Sequence, residues 1–200
     1  MIKKIFLLFI GATFCLSYSC SSKPSGAKTI NINNAEVSVY FSPNGGASDA
    51  IIKEIENAHS FIDIAMYAFT SRPIGQAVID AYKRGVKVRL VMDVREANTR
   101  FSRSRFFYKA GIPIRTLPVE ETRFVKGLMH NKFAVIDGKE VITGSYNWTA
   151  SAEKLNYENL LIIKSQKLAD IYEKYFNWMF SIGRGILVGN NFTPKEERNF

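Results

Sequence analysis

The run Phe61-Ile62-Asp63-Ile64-Ala65-Met66-Tyr67 constrains the fold of this chain more than any other segment. Six of its seven residues are apolar or aromatic, without the alternation of a strand that has one wet face. Such a run reads as a central strand covered on both sides. Helical periodicity flanks it. Ala50, Ile51, Ile55 and Ala58 mark a helix over residues 47–58. Pro73 suits the first turn of a second helix and Gly85 its end. Val37 to Phe41 reads as a first strand, Val86 to Met92 as a third, Ile112 to Arg115 as a short one, and Leu160 to Ile163 as the last central one. A partly helical basic segment stops at Gly111, and residues 116–129 read as a loop. Gln166 to Phe180 carries a final amphipathic helix. Strands alternating with helices predict a mixed-sheet α/β sandwich over residues 35–182.

The N-terminus reads as an export signal over residues 1–19. Lys3 and Lys4 precede an apolar run, Ile5 to Leu16, that is shorter than the ~20 residues of a membrane span. Ser17-Tyr18-Ser19 is a small-x-small cleavage pattern that leaves Cys20 as the first mature residue and a candidate for lipidation. An uncleaved anchor is the alternative. Cys15 leaves with the signal, so the mature chain keeps at most one cysteine and has no internal disulfide. Residues 20–34, rich in Ser, Lys, Gly and Asn, read as a tether, and 183–200 as a C-terminal tail. These features place the mature protein in a bacterial envelope or periplasm, lipid-anchored or free, or outside the cell.

The net charge is +9, and it stays +7 once Lys3 and Lys4 are removed. A balance of this size favours an anionic partner, nucleic acid or membrane surface. Between Lys83 and Lys109 stand nine Lys or Arg and only two acids, Asp93 and Glu96. Within that stretch Arg95, Arg100, Arg103 and Arg105 interleave with Phe101, Phe106, Phe107 and Tyr108, a composition suited to phosphates and stacked bases. Phe106 and Phe107 serve equally well as core residues. Arg123 and Lys126 extend the basic rim toward His130.

The chemistry concentrates between His130 and Glu158. Side chains two apart on a strand share a face, so His130 and Lys132 point one way and Asp137 the other. Asp137-Gly138 predicts a two-residue hairpin turn. That turn would pair Ile136 with Lys139, Lys132 with Thr143 and His130 with Ser145, and so gather His130, Lys132, Ser145 and Asn147 on one patch. The patch suits a phosphate diester. Lys132 supplies a cation, Ser145 and Asn147 neutral donors, and His130 a nucleophile. Glu158 is the candidate carboxylate to fix the His130 tautomer. The leaving oxygen needs a proton from a second group. His59, the other histidine, sits among apolar neighbours and reads as structural. A second copy of the chain, related by a two-fold axis, would supply a second His130.

His130-x-Lys132-x4-Asp137 followed by Gly144-Ser145-x-Asn147 resembles the signature of the phospholipase D superfamily. The spacing through Glu158 is similar to its single-motif branch of bacterial endonucleases and mitochondrial cardiolipin hydrolase/Zucchini proteins. The resemblance spans roughly Val37 to Phe180. It implies an α/β sandwich homodimer with one active site at the interface, a phosphohistidine intermediate on one His130, proton transfer by the other, and no metal or other cofactor. It implies that Lys132 and Asn147 hold phosphate oxygens with Ser145 in support, that Glu158 orients His130, and that Asp137 and Gly144 are structural. Three functions stay open: a low-specificity endonuclease, favoured by charge and resemblance; a phospholipase D acting on phosphatidyl headgroups; and an envelope nucleic-acid-binding protein with weak catalysis.

Overall fold

A computed structural model describes Pro24 and residues 26–117 and 127–186. The proposed signal, Cys20, Arg123, Lys126 and residues 187–200 lie outside the described residues. The elements are β1 Glu36–Ser42, α1 Ala47–Glu56, β2 Phe61–Met66, α2 Arg72–Lys83, β3 Lys87–Asp93, α3 Val94–Ala97, α4 Ser104–Lys109, β4 Ile114–Leu117, β5 Lys132–Ile136, β6 Glu140–Gly144, α5 Ala150–Lys154, β7 Glu158–Lys164, α6 Gln166–Ile182 and β8 Arg184–Gly185. The strands form one eight-stranded sheet in the order β1-β7-β6-β5-β2-β3-β4-β8. β2, β3 and β4 run parallel; every other neighbouring pair is antiparallel.

β2 lies between β5 and β3 and is covered on both faces. Ile62, Ile64 and Met66 enter the core under α1 and α2, with Ile51, Ile55, Ile74 and Val78. Ala65 joins Phe133, Val135 and Val141 beneath Ala169, Phe176 and Met179 of α6. The helices end where the local chemistry stops them. Ser71 caps α2 by accepting from the Ile74 N–H, and Gly85 follows that helix at φ +96, a conformation other residues rarely take. The one charge within β2, Asp63, is fully buried and accepts two hydrogen bonds from Arg89, at 2.8 and 2.6 Å. Arg89 also donates to Asn177 Oδ1 on α6 at 2.8 Å, so this ion pair ties the sheet to the helix above it.

The hairpin departs from the expected register. Asp137 and Gly138 both take left-handed conformations, φ +51 and +66, and the Lys139 N–H closes the turn on Ile136 O at 3.1 Å. The ladder then resumes with Ile136 opposite Glu140, so Lys139 is an extra residue and Phe133, not Lys132, faces Thr143. The cause is tertiary. The Asp137 carboxylate is bound to the start of β2, where it accepts from the N–H groups of His59 (3.0 Å), Ser60 (2.7 Å) and Phe61 (3.1 Å), and its own N–H donates to Phe61 O at 3.0 Å. The His59 side chain is exposed.

Beside this turn lies a cleft of about 440 Å³ lined by Glu54, His59, Asp137, Glu140 and Lys164. Glu140 is only 6% exposed, and its Oε1 has no partner among the described residues. Burial, reinforced by the charge of Glu54, pushes its carboxyl up to about 7. Because the folded value exceeds the ordinary 4.5, the folded state holds the proton more tightly than the unfolded chain. Stability from this group is therefore complete below about pH 4.5 and declines as pH rises through about 7. Glu140→Gln is expected to flatten this decline between pH 5 and 8, read as Tm against pH; an unchanged profile would refute the assignment.

Candidate active site at the end of the central strands

The chemically reactive residues gather at one end of the sheet, where β1, β2, β3 and β6 finish and β5 and β7 begin. Lys132 opens β5 opposite Met66, and its Nζ donates to His130 O at 2.9 Å. His130 is exposed. Its ring meets the Tyr67 ring edge-on, centroids 4.6 Å apart, while Lys132 Nζ stands 5.2 Å from the same ring. Tyr67 is thus a shared wall for His130 and Lys132. Its N–H donates to Asn131 O at 2.9 Å, which carries the β2–β5 pairing up to the site. Burial lowers the pKa of Lys132, and the charge of Glu158 opposes that shift. The ammonium is therefore less well hydrated than usual and more available to an anionic oxygen.

Ser145 reaches this face by a second local irregularity. The N–H groups of Ser145 and Tyr146 both converge on Asn159 O, at 3.1 and 3.2 Å, so two residues stand against one and the strand bulges. Gly144 makes the bulge possible. Its φ is +154, and a Cβ added there would lie 2.2 Å from Asn159 O. Ser145 lands beside Glu158. Its hydroxyl donates to Glu158 Oε2 at 2.5 Å and accepts from Asn159 N–H at 3.1 Å. Gly144→Ala is expected to push β6 from β7, displace Ser145 and lower kcat/KM at least about tenfold, with a visible loss of Tm. Wild-type kinetics in that variant would contradict the bulge.

Glu158 opens β7 and pairs with Ser42. Within one chain its carboxylate is committed to Ser145 and to Asn156 Nδ2, at 3.3 Å, and does not bond the His130 ring. The contact that orients the imidazole inside the chain is Tyr67. Asn147 follows the bulge, partly buried, its Oδ1 without a partner among the described residues. Trp148 anchors this loop in the core. It is 1% exposed, its ring meets Phe69 edge-on at 5.0 Å, and its carbonyl accepts from the N–H groups of Thr70 and Ser71.

Two positioning residues escaped the sequence reading. Tyr67 shows no local signal, being the last residue of an apolar run. Asp93 does, because Asp93-x-x-Glu96 is a helix-start pattern. Fully buried at the end of β3, Asp93 caps α3 through the Arg95 and Glu96 N–H groups and accepts from the Met129 N–H at 3.1 Å, so it fixes the approach to His130.

The arginines divide. Arg95 is anchored to the chain, since its guanidinium donates to Gly127 O at 2.7 Å and lies 3.8 Å from Asp93. Arg100 lies over the Phe101 ring at 4.6 Å. Arg103 and Arg105 are partly buried on the segment around α4. Phe107 belongs to the core, whereas Phe106, Phe101 and Tyr108 are exposed. Among the described residues no group of three or more His, Cys, Asp or Glu side chains is arranged to hold a metal ion.

A mixed sheet that presents, at one end, an exposed histidine and serine beside a desolvated lysine and a glutamate defines a hydrolase of phosphodiester type. The comparisons agree. Residues 51–180 match the family described as cardiolipin synthase, PLD-like domain, and the chain belongs to the phospholipase D superfamily. A phospholipase D of Rickettsia conorii is 36% identical over 148 residues, covering 74% of this chain and 70% of that one. The structure is similar to Nuc of Salmonella typhimurium, a phospholipase D family member, with TM-score 0.68, 32% identity, and coverage of 76% of this chain and 97% of that one. NucT of Helicobacter pylori gives TM-score 0.71 and 28% identity, with coverage of 76% and 99%.

Proposed function

We propose that this protein is an exported, low-specificity endonuclease of the bacterial envelope that cleaves phosphodiesters through a phosphohistidine and without a metal. The observation that carries the reading is the exposed His130 ring beside the desolvated Lys132, with Ser145 and Glu158 linked on the same face. His130 attacks phosphorus and displaces one alcohol. Lys132 and the Asn147 amide take the phosphate oxygens as their charge grows. Ser145, held by Glu158, supports them. Water then attacks the phosphoimidazole and frees the second product.

The leaving alcohol needs a proton, and no second histidine of this chain stands at the site. His59, the other histidine, lies by Asp137 at the opposite end of β5. A homodimer answers the need, with the His130 of a second copy across a two-fold axis acting first as acid and then as base. Substrate class follows from charge: the surplus of +9 and the basic, aromatic-bearing stretch from Lys83 to Lys109 favour nucleic acid. Phospholipid is the second reading, supported by the phospholipase D named among the relatives and by the possible anchor at Cys20.

Purified protein in EDTA, assayed on single-stranded DNA, double-stranded DNA, RNA and phospholipid vesicles, decides between them. The expected result is undiminished cleavage of nucleic acid. Headgroup release alone would select the phospholipase, and salt-sensitive binding without turnover would select a binding protein.

A further inference from the structure

Among the described residues, one cation pair near the site has no counter-charge. The Arg103 N–H donates to Phe69 O at 2.9 Å, and Phe69 packs on Trp148, next to Asn147. Arg72 follows Ser71, whose N–H donates to Trp148 O at 2.9 Å. Both arginines are therefore attached to the layer that supports the Asn147 loop. The Arg103 side chain crosses α2 at Gly75, where an added Cβ would stand 3.1 Å from its Nε, and its Cζ lies 3.6 Å from the centroid of the Phe106 ring. Its Nε is buried and has no hydrogen-bond partner among the described residues. No carboxylate among the described residues forms an ion pair with Arg103 or with the exposed Arg72.

The contrast with Arg89 is instructive. That guanidinium is likewise held against aromatic rings, those of Phe176 and Phe180, but Asp63 neutralises it through two short bonds. Arg103 has the clamp without the acid. Burial and the charge of Arg72 together lower its proton affinity, so the two cations disfavour each other in the empty protein. A rigid guanidinium beside a second one, both lacking an acid, is relieved by a bound anion with several acceptor oxygens.

We propose that Arg72 and Arg103 form a second phosphate subsite, which takes a phosphate of the nucleic-acid strand flanking the one attacked by His130. Gly75 and Phe106 hold the Arg103 fork in place, and Phe106, 37% exposed, offers a ring edge to the adjoining sugar or base. This rests on the phosphodiesterase reading and adds to it the direction in which a polymer leaves the site.

The test compares wild type, Arg72→Gln and Arg103→Gln on two substrates. Bis(p-nitrophenyl) phosphate fills only the reacting position, whereas a short single-stranded oligonucleotide reaches further. The expected result is an unchanged rate on the small diester, with oligonucleotide kcat/KM reduced about tenfold in each variant. The slope of log affinity against log salt should shrink by about 0.7, one phosphate contact on a single strand. Equal losses on both substrates, or an unchanged salt slope in both variants, would overturn the subsite. Arg72 is exposed, so its variant decides the matter should Arg103→Gln fold poorly. If wild type turns over neither substrate, the catalytic reading fails, and the salt slope of oligonucleotide binding still tests the subsite. Weakened binding to anionic vesicles with oligonucleotide binding intact would also overturn it.

Discussion

His130→Ala is expected to lower kcat by about 10⁴-fold or more on every diester the enzyme accepts, because the proposed mechanism then lacks its nucleophile. The protein should stay folded. The ring is exposed, and its one ring contact is with Tyr67, so Tm should move by only a few degrees. Two further measurements separate this from general damage. Wild type given labelled substrate and quenched in alkaline denaturant, where a phosphorus–nitrogen bond survives, should carry label on histidine, and the variant should not. On the proposed homodimer, a mixture of His130→Ala with excess wild type should form hybrids in which each site has one imidazole, and specific activity should drop below simple dilution. Retention of substantial hydrolysis by His130→Ala would remove the phosphohistidine mechanism.

Asp137→Ala is expected to act on stability and not on the chemical step. Asp137 belongs to the same signature, yet its carboxylate lies at the far end of β5 from Lys132 and accepts three backbone N–H groups at the start of β2. Burial opposes its charge, but the N–H groups of Ser60, His59 and Phe61, with Lys139 beside them, outweigh that and hold its pKa below the ordinary carboxylate value. Charged acceptors contribute about 1.5–3 kcal/mol per bond, and water can replace part of that at the exposed His59 and Ser60. A net loss of about 3 kcal/mol lowers Tm by roughly 6–12 °C in a domain of this size. The depressed pKa gives the sign of the pH dependence: this stabilisation is present above the unfolded pKa and is lost as pH falls through the folded one. Below the melting range the variant should keep near-normal kcat per folded molecule. A large kcat defect in fully folded Asp137→Ala would mean that the residue reaches the reaction after all.

The outline of the fold was readable because burial imposes periodicity. The unbroken apolar run at Phe61–Met66 became the twice-covered β2, and the apolar spacing after Gly46 became α1. The first-turn proline and closing glycine framed α2. The short elements were not readable. α5 has five residues and β8 two, too few for a period, and both exist because neighbouring segments hold them. The identities of the reactive residues were likewise visible, since His130, Lys132, Ser145, Asn147 and Glu158 carry chemistry at fixed spacing. Their route to one another was not. Parity counting took the hairpin as regular, whereas Lys139 adds one residue at the turn and Ser145–Tyr146 adds another at the far end of β6.

By itself, then, the sequence determined which strands are central, that helices cover both faces, and which side chains can handle a phosphate. These follow from side-chain type and spacing, which are local. Only the tertiary structure decided that Tyr67 is the wall shared by His130 and Lys132, that Asp93 fixes the approach to His130, that Arg95 binds the backbone at Gly127, and that the Arg103 side chain lies across α2 at Gly75. Each joins residues far apart in the chain, and no local pattern encodes the distance between segments that meet only when the sheet closes.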